Sequence, residues 1–171
     1  MPLYCGIDPG KTGAICIIDE HCFVQLIADM PMRDGLVDGL ATLKLLKSVG
    51  EVKRVALERP VAFSGPASKS ALLSLGASFG IAKGAVDCAA PGSLVLPEPA
   101  FWKKSLGLDK DKSNSSATAL VQFPGLNLFK TTRCTTPSHD RAEAAWLAYF
   151  ALHSDEYPIP EKKKKPRKPK K

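Results

Sequence analysis

The sequence predicts a single α/β domain in which a mixed five-stranded sheet carries helices on its faces. Three apolar, β-branched runs at 3–7, 13–18 and 22–28 follow one another with only short turns between them, the pattern of an antiparallel meander. A helix-period segment over 36–49 is followed at once by a β-branched run over 52–57, so the chain crosses over and lays that strand parallel to the first. With 171 residues, 44% hydrophobic and 24% charged, there is material for one domain with a sizeable core.

The first run ends at Asp8 and turns through Pro9-Gly10 into the second. Gly6, Gly10 and Gly13 leave room there for a phosphate or a second backbone. Over 36–49, apolar residues at 36, 37, 40, 43, 45, 46 and 49 predict a helix ending near Gly50. The strand over 52–57 ends at Glu58, and Pro60 prevents much continuation. A long helix of small residues is predicted over 67–86. Its Gly76, Gly80 and Gly84 lie four apart on one face, each costing about 1 kcal/mol relative to alanine. That face is expected to pack, either on a second subunit or on its own sheet. A short strand over 93–96 precedes Pro97 and a basic segment around Trp102-Lys103-Lys104. A helix over 113–123, a loop over 124–137 and a last helix over 138–152 complete the chain.

The formal charge of +7 is concentrated at one end. Residues 1–160 hold 16 Lys/Arg against 16 Asp/Glu, whereas 161–171 hold eight positive charges and one negative. Such a block cannot bury apolar surface and is expected to be disordered, giving a domain over 1–157 and a Lys-rich tail over 158–171. A mobile basic arm suits phosphate backbones or acidic surfaces; the alternative is a solubilising or localisation tail. Five cysteines without CxxC or Cys/His ligand spacing argue for a reducing compartment and against a zinc site or disulfide framework. The N-terminus has no signal pattern, and the apolar, charge-free stretch over 70–82 is too short and too rich in serine and glycine to span a bilayer. A cytoplasmic, nucleoid-associated protein is expected, or a nuclear one if the Lys-rich end is an import signal in a eukaryotic or viral host.

Acidic residues recur at element ends. Asp8 and Glu58 end two strands expected to be neighbours, and Asp140 and Glu143 fall in the first turns of the last helix, with Ser138 as its N-cap. A spacing of three puts Asp140 and Glu143 on one face, and His139, four before Glu143, lies near it. Taken singly, Asp8 also reads as a turn residue bonding its own backbone, and Asp140 as a carboxylate favoured by the helix dipole. Glu143 precedes Ala144-Ala145-Trp146-Leu147-Ala148, so its helix is apolar almost all round. Carboxylates converging at adjacent strand ends repel unless a cation lies between them. Hard oxygen donors select Mg²⁺ or Mn²⁺. Two such ions about 4 Å apart would clamp the attacking water and the leaving oxygen of a phosphodiester. Gly10-Lys11-Thr12 matches the end of a phosphate-binding P-loop, but that pattern needs glycine where Cys5 stands and a helix where this chain has a strand. It is excluded.

Gly6-Ile7-Asp8-Pro9-Gly10, Ala56-Leu57-Glu58 and His139-Asp140-Arg141-Ala142-Glu143-Ala144 resemble, in order and rough spacing, the motifs of RuvC-like Holliday-junction resolvases in the RNase H-like superfamily. The phage and chloroplast forms are similar also in Pro99-Ala100-Phe101-Trp102-Lys103-Lys104, in Gly107-Leu108 with Lys110-Asp111-Lys112-Ser113, and in Leu120-Val121-Gln122-Phe123-Pro124. The resemblance spans about residues 3–152. It implies an RNase H-like fold, a pair of Mg²⁺ or Mn²⁺ ions on Asp8, Glu58 and Glu143, and either His139 or Asp140 as the remaining ligand. It implies a homodimer acting on four-way or branched DNA, without a membrane or small-molecule cofactor, and leaving a 5′-phosphate and a 3′-hydroxyl. It also implies that the segment from Phe63 to Ser68 and Lys69 enters the junction centre. There Phe63 would wedge against bases, or else cap the core. Lys69, Lys103, Lys104, Lys110 and Lys112 would neutralise phosphates, with Lys110 or Lys112 close enough to assist catalysis. Rival readings are a YqgF-like nuclease that processes ribosomal RNA, one lobe of a sugar-kinase or actin-like protein, and a catalytically inactive nucleic-acid-binding module.

Overall fold

The computed structural model describes residues 1–61, 68–108 and 112–159, with the side chains of 112–114 excepted. Five strands form the main sheet: β1 (Leu3–Ile7), β2 (Ala14–Asp19), β3 (Val24–Asp29), β6 (Val52–Leu57) and β7 (Leu94–Val95). Their order is β3-β2-β1-β6-β7. The first three strands are antiparallel, and β1, β6 and β7 run parallel. This is the mixed sheet the sequence predicts. Asp8 and Glu58 therefore leave the sheet at the same edge, where the Glu58 N–H donates to the carbonyl of Ile7 at 2.9 Å.

Strand alternation divides the core into two layers. Leu3, Cys5 and Ile7 of β1 join Ile15, Ile17, Val55 and Leu57 beneath α1 (Gly39–Ser48) and α2 (Lys69–Ala89). Tyr4, Cys16, Ile18 and Ala56 face α5 (His139–Leu152), with α3 (Pro99–Ser105) and α4 (Lys112–Gln122) outside it. Gly6 points to that second layer. A Cβ there would lie 2.1 Å from the carbonyl oxygen of Ala144 and 2.2 Å from the nitrogen of Ala148. Only glycine allows α5 to rest its backbone on β1, and that contact brings Glu143 over the strand ends.

The helix expected from 36 begins only at Gly39. Leu36–Val37 (β5) pairs with Met32–Arg33 (β4) in a separate hairpin. The φ angles at its turn, 52° for Asp34 and 80° for Gly35, suit an Asp-Gly two-residue turn. Asp38 then caps α1 by accepting from the Ala41 N–H at 3.1 Å. A second departure is α3, where the sequence predicted only a basic segment. It spans seven residues, too few to show a period, and starts at a proline.

A third concerns α2. Its buried residues are Ser78, Ala82, Ala85 and Val86, and it packs on α1 and β5. Gly76, Gly80 and Gly84 are exposed, with nothing among the described residues within 4 Å of a Cβ built on any of them. Packing of the glycine face on the chain's own sheet is thereby ruled out. With 21 residues, α2 is long and apolar enough to cross a membrane by length and composition alone, and 22% of its most apolar window is buried. Phe63, Lys110, the side chain of Lys112 and the tail over 160–171 lie outside the described residues.

Candidate active site

Asp8 sits one residue past β1, where the hairpin turns. Its N–H donates to the carbonyl of Ala14 at 3.0 Å, and its Oδ1 accepts from the N–H of Gly10 at 3.0 Å. A Cβ on Gly13 would lie 2.1 Å from the carbonyl oxygen of Asp8, so glycine is what lets the turn close on the aspartate. Glu58 sits one residue past β6, and its Oε1 accepts from the indole N–H of Trp102 at 2.9 Å. Glu143 projects from the second turn of α5 and is 9% exposed. The ammonium of Lys103 donates to its Oε1.

These groups also act on one another electrostatically. Burial, above all, pushes the Asp8 carboxyl up to about 6. The Gly10 N–H opposes the shift, Glu143 and Asp140 add to it, and Lys103 reduces it. Burial likewise pushes Glu58 up to about 7; the Trp102 hydrogen bond opposes this, Asp8 and Glu143 add to it, and Lys103 again opposes. Strand ends and one helix thus hold three carboxylates within each other's field, with one ammonium among them.

Ser138 caps α5 by accepting from the Arg141 N–H at 3.4 Å, as expected, and the cap sets the phase of the helix. His139 Nε2 lies 2.9 Å from Glu143 Oε1, but no hydrogen bond forms. Both ring nitrogens are buried without a hydrogen-bond partner among the described residues, beside an apolar cavity of about 400 Å³ that His139 lines with Ala117, Leu120, Leu128 and Pro137. Asp140 is placed differently. Its Oδ2 is 3.9 Å from Lys130 Nζ, which also donates to the carbonyl of Thr12 at 3.1 Å and lies 3.7 Å from Asp29 Oδ1. Arg141 locks the same region, donating to Asp29 at 2.8 Å and to the carbonyls of Asn127 and Phe129. These contacts tie the 124–137 loop to the first hairpin.

The residues present fit a divalent cation in kind. Mutually repelling buried carboxylates offer hard oxygen donors, and a histidine with two orphaned buried nitrogens stands beside them. Among the described residues, no three His, Cys, Asp or Glu side chains form a group that could hold a metal ion. Lys103 pairs with Glu143 there. Of the residues expected to meet DNA, Ser68 caps α2 through the Ala71 N–H at 3.2 Å, and Lys69 and Lys104 are exposed. Sequence reading assigned no role to Trp102, Asp29, Lys130 or Arg141 within this region. The Trp102-Lys103 pair itself was visible, but which carboxylates it meets was not.

No family model matches the chain, and no curated protein matches it. Solved structures do. A Thermus thermophilus RuvC in complex with a Holliday junction substrate superposes with a TM-score of 0.65 at 16% identity, covering 91% of this chain and 96% of that one. A second Thermus thermophilus RuvC structure gives 0.64 at 16% identity, over 90% and 96%. At that identity the likeness is one of fold, and the chain has the RNase H-like fold that these RuvC structures share.

Proposed function

We propose that this chain is a Mg²⁺-dependent, structure-selective DNA endonuclease that resolves four-way junctions as a homodimer. The observation that carries the reading is the gathering of Asp8, Glu58 and Glu143, each delivered by a different element into a common field. The likeness to a RuvC structure holding a Holliday junction supports the choice of substrate.

Asp8, Glu58 and Glu143, with His139 or Asp140, would hold the cations. When bound, Mg²⁺ or Mn²⁺ lowers the pKa of water and neutralises charge on a phosphate oxygen. The buried carboxylates orient the attacking water. Where Asp140 is the remaining ligand, His139 would be free to accept its proton as the bond between phosphorus and the 3′-oxygen breaks, and the departing 3′-oxygen would take a proton from solvent water. Lys103 leaves Glu143 for the phosphate, whose charge replaces that of the carboxylate. The products are a 5′-phosphate and a 3′-hydroxyl.

The exposed face of α2 is the proposed dimer contact. Leu72 and Leu73 are 40% and 76% exposed, and Gly76, Gly80 and Gly84 continue the face with open space. A second copy presenting the same patch could approach closely there. The test compares a four-way junction, a linear duplex and a structured RNA of equal length in Mg²⁺. Selective cleavage of the junction is expected. Cleavage of RNA alone would transfer the reading to ribosomal-RNA processing.

A further inference from the structure

We propose that Trp102 is a positioning residue for Glu58, its indole N–H fixing the carboxylate at the setting needed to hold a divalent cation. The inference rests on the reading of Glu58 as a metal ligand and names a residue that this reading does not require. Trp102 is fully buried, so its N–H must find an acceptor inside the protein. The other tryptophan, Trp146, meets the same need with a backbone carbonyl, that of Ser115, at 3.1 Å. Trp102 instead reaches a side-chain carboxylate at the mouth of the sheet, 2.9 Å away on Oε1.

With Glu58 ionised, as a cation would require, the hydrogen bond is charge-assisted, stronger than a neutral one, and directional. Glu58 is already held at its backbone, where its N–H donates to Ile7. With Trp102 on one carboxylate oxygen, both ends of the side chain are fixed before any cation arrives. The donor is itself rigid, since its ring is packed in the layer formed by Ala56, Ala144, Ala145 and Phe150. The next residue on the same helix, Lys103, holds Glu143, with its ammonium 5.2 Å from the centre of the Trp102 ring. The seven residues of α3 thus address two of the three carboxylates. Outer partners of this sort tune metal affinity by about 10–100-fold where they orient a ligand.

The test measures Mg²⁺ binding to the full chain by isothermal titration calorimetry, beside thermal melting by circular dichroism. One variant is Trp102→Phe. The second replaces Trp102 alone with 3-benzothienylalanine, an isostere carrying sulfur in place of the N–H. Should the phenylalanine variant fail to fold, the isostere decides. We expect the isostere to melt with wild type while binding Mg²⁺ about tenfold or more weakly. Wild-type affinity in the isostere, or a loss that only follows a fall in melting temperature, would show that Trp102 merely fills the core. That result overturns the inference and leaves the metal reading standing. A wild-type chain that binds no Mg²⁺ overturns both.

Discussion

Asp8 and Glu58 are protonated over a wider pH range in the folded chain than in the unfolded one, with values of about 6 and 7 in place of the ordinary 3.8 and 4.5. A carboxyl whose value is raised by folding stabilises fully below its unfolded value, and that contribution is lost as pH rises through the folded one. The metal-free protein therefore loses stability from this pair between about pH 4 and 7. For Asp8 the loss is up to about 3 kcal/mol. In EDTA, Asp8→Asn should melt above wild type at pH 8 and level with it at pH 4, and Mg²⁺ at pH 8 should raise wild type but not the variant. A variant melting lower at both pH values would contradict this. The acidic positions were legible because Asp8 and Glu58 interrupt apolar runs and Glu143 heads an apolar helix. His139 was legible from its spacing of four. Trp102 was not, because its acceptor lies 44 residues away in sequence and no local period encodes that contact. Lys130 and Arg141 escaped for the same reason.

Elements deliver those residues, and the closest fit among them is β1 against α5. Gly6→Ala would drive a methyl into the backbone at Ala144 and Ala148, and neither strand nor helix can yield without moving the site. Overpacking there should cost about 3 kcal/mol or more, read as a lower urea midpoint, and should abolish cleavage. Unchanged stability would mean that α5 does not rest on β1 as described. Ser138→Ala removes the cap of α5 and should cost about 1 kcal/mol, a smaller effect because the helix is held mainly by burial. Strand order and the last helix were readable from runs of apolar residues, whose period reports burial directly. The Asp34-Gly35 hairpin was missed, because two-residue strands are too short to compete with the helical period beside them. For α3, tertiary contacts rather than periodicity set the conformation, as Trp102 and Lys103 are fixed by Glu58 and Glu143.

For the molecule as a whole, an uncommitted face and a basic end remain once the core is accounted for. Because nothing among the described residues lies within 4 Å of a Cβ at Gly80, Gly80→Leu is accommodated by the protomer, and any change in assembly reports on the face itself. Light scattering should find a dimer for wild type and a monomer for Gly80→Leu; a dimeric variant would place the interface elsewhere. Removing residues 161–171 deletes eight positive charges. Junction binding should weaken, with the slope of log affinity against log salt flattening by up to about 0.9 for each charge engaged, while the cleavage position stays the same. Neither assembly nor the use of the basic end could be read beyond composition, since both depend on a second molecule. The most direct measurement is cleavage of an end-labelled four-way junction in Mg²⁺ by wild type and by Asp8→Asn. Paired, symmetric nicks with 5′-phosphate ends are expected from wild type and none from the variant. Nicks that persist in Asp8→Asn would contradict the proposed site.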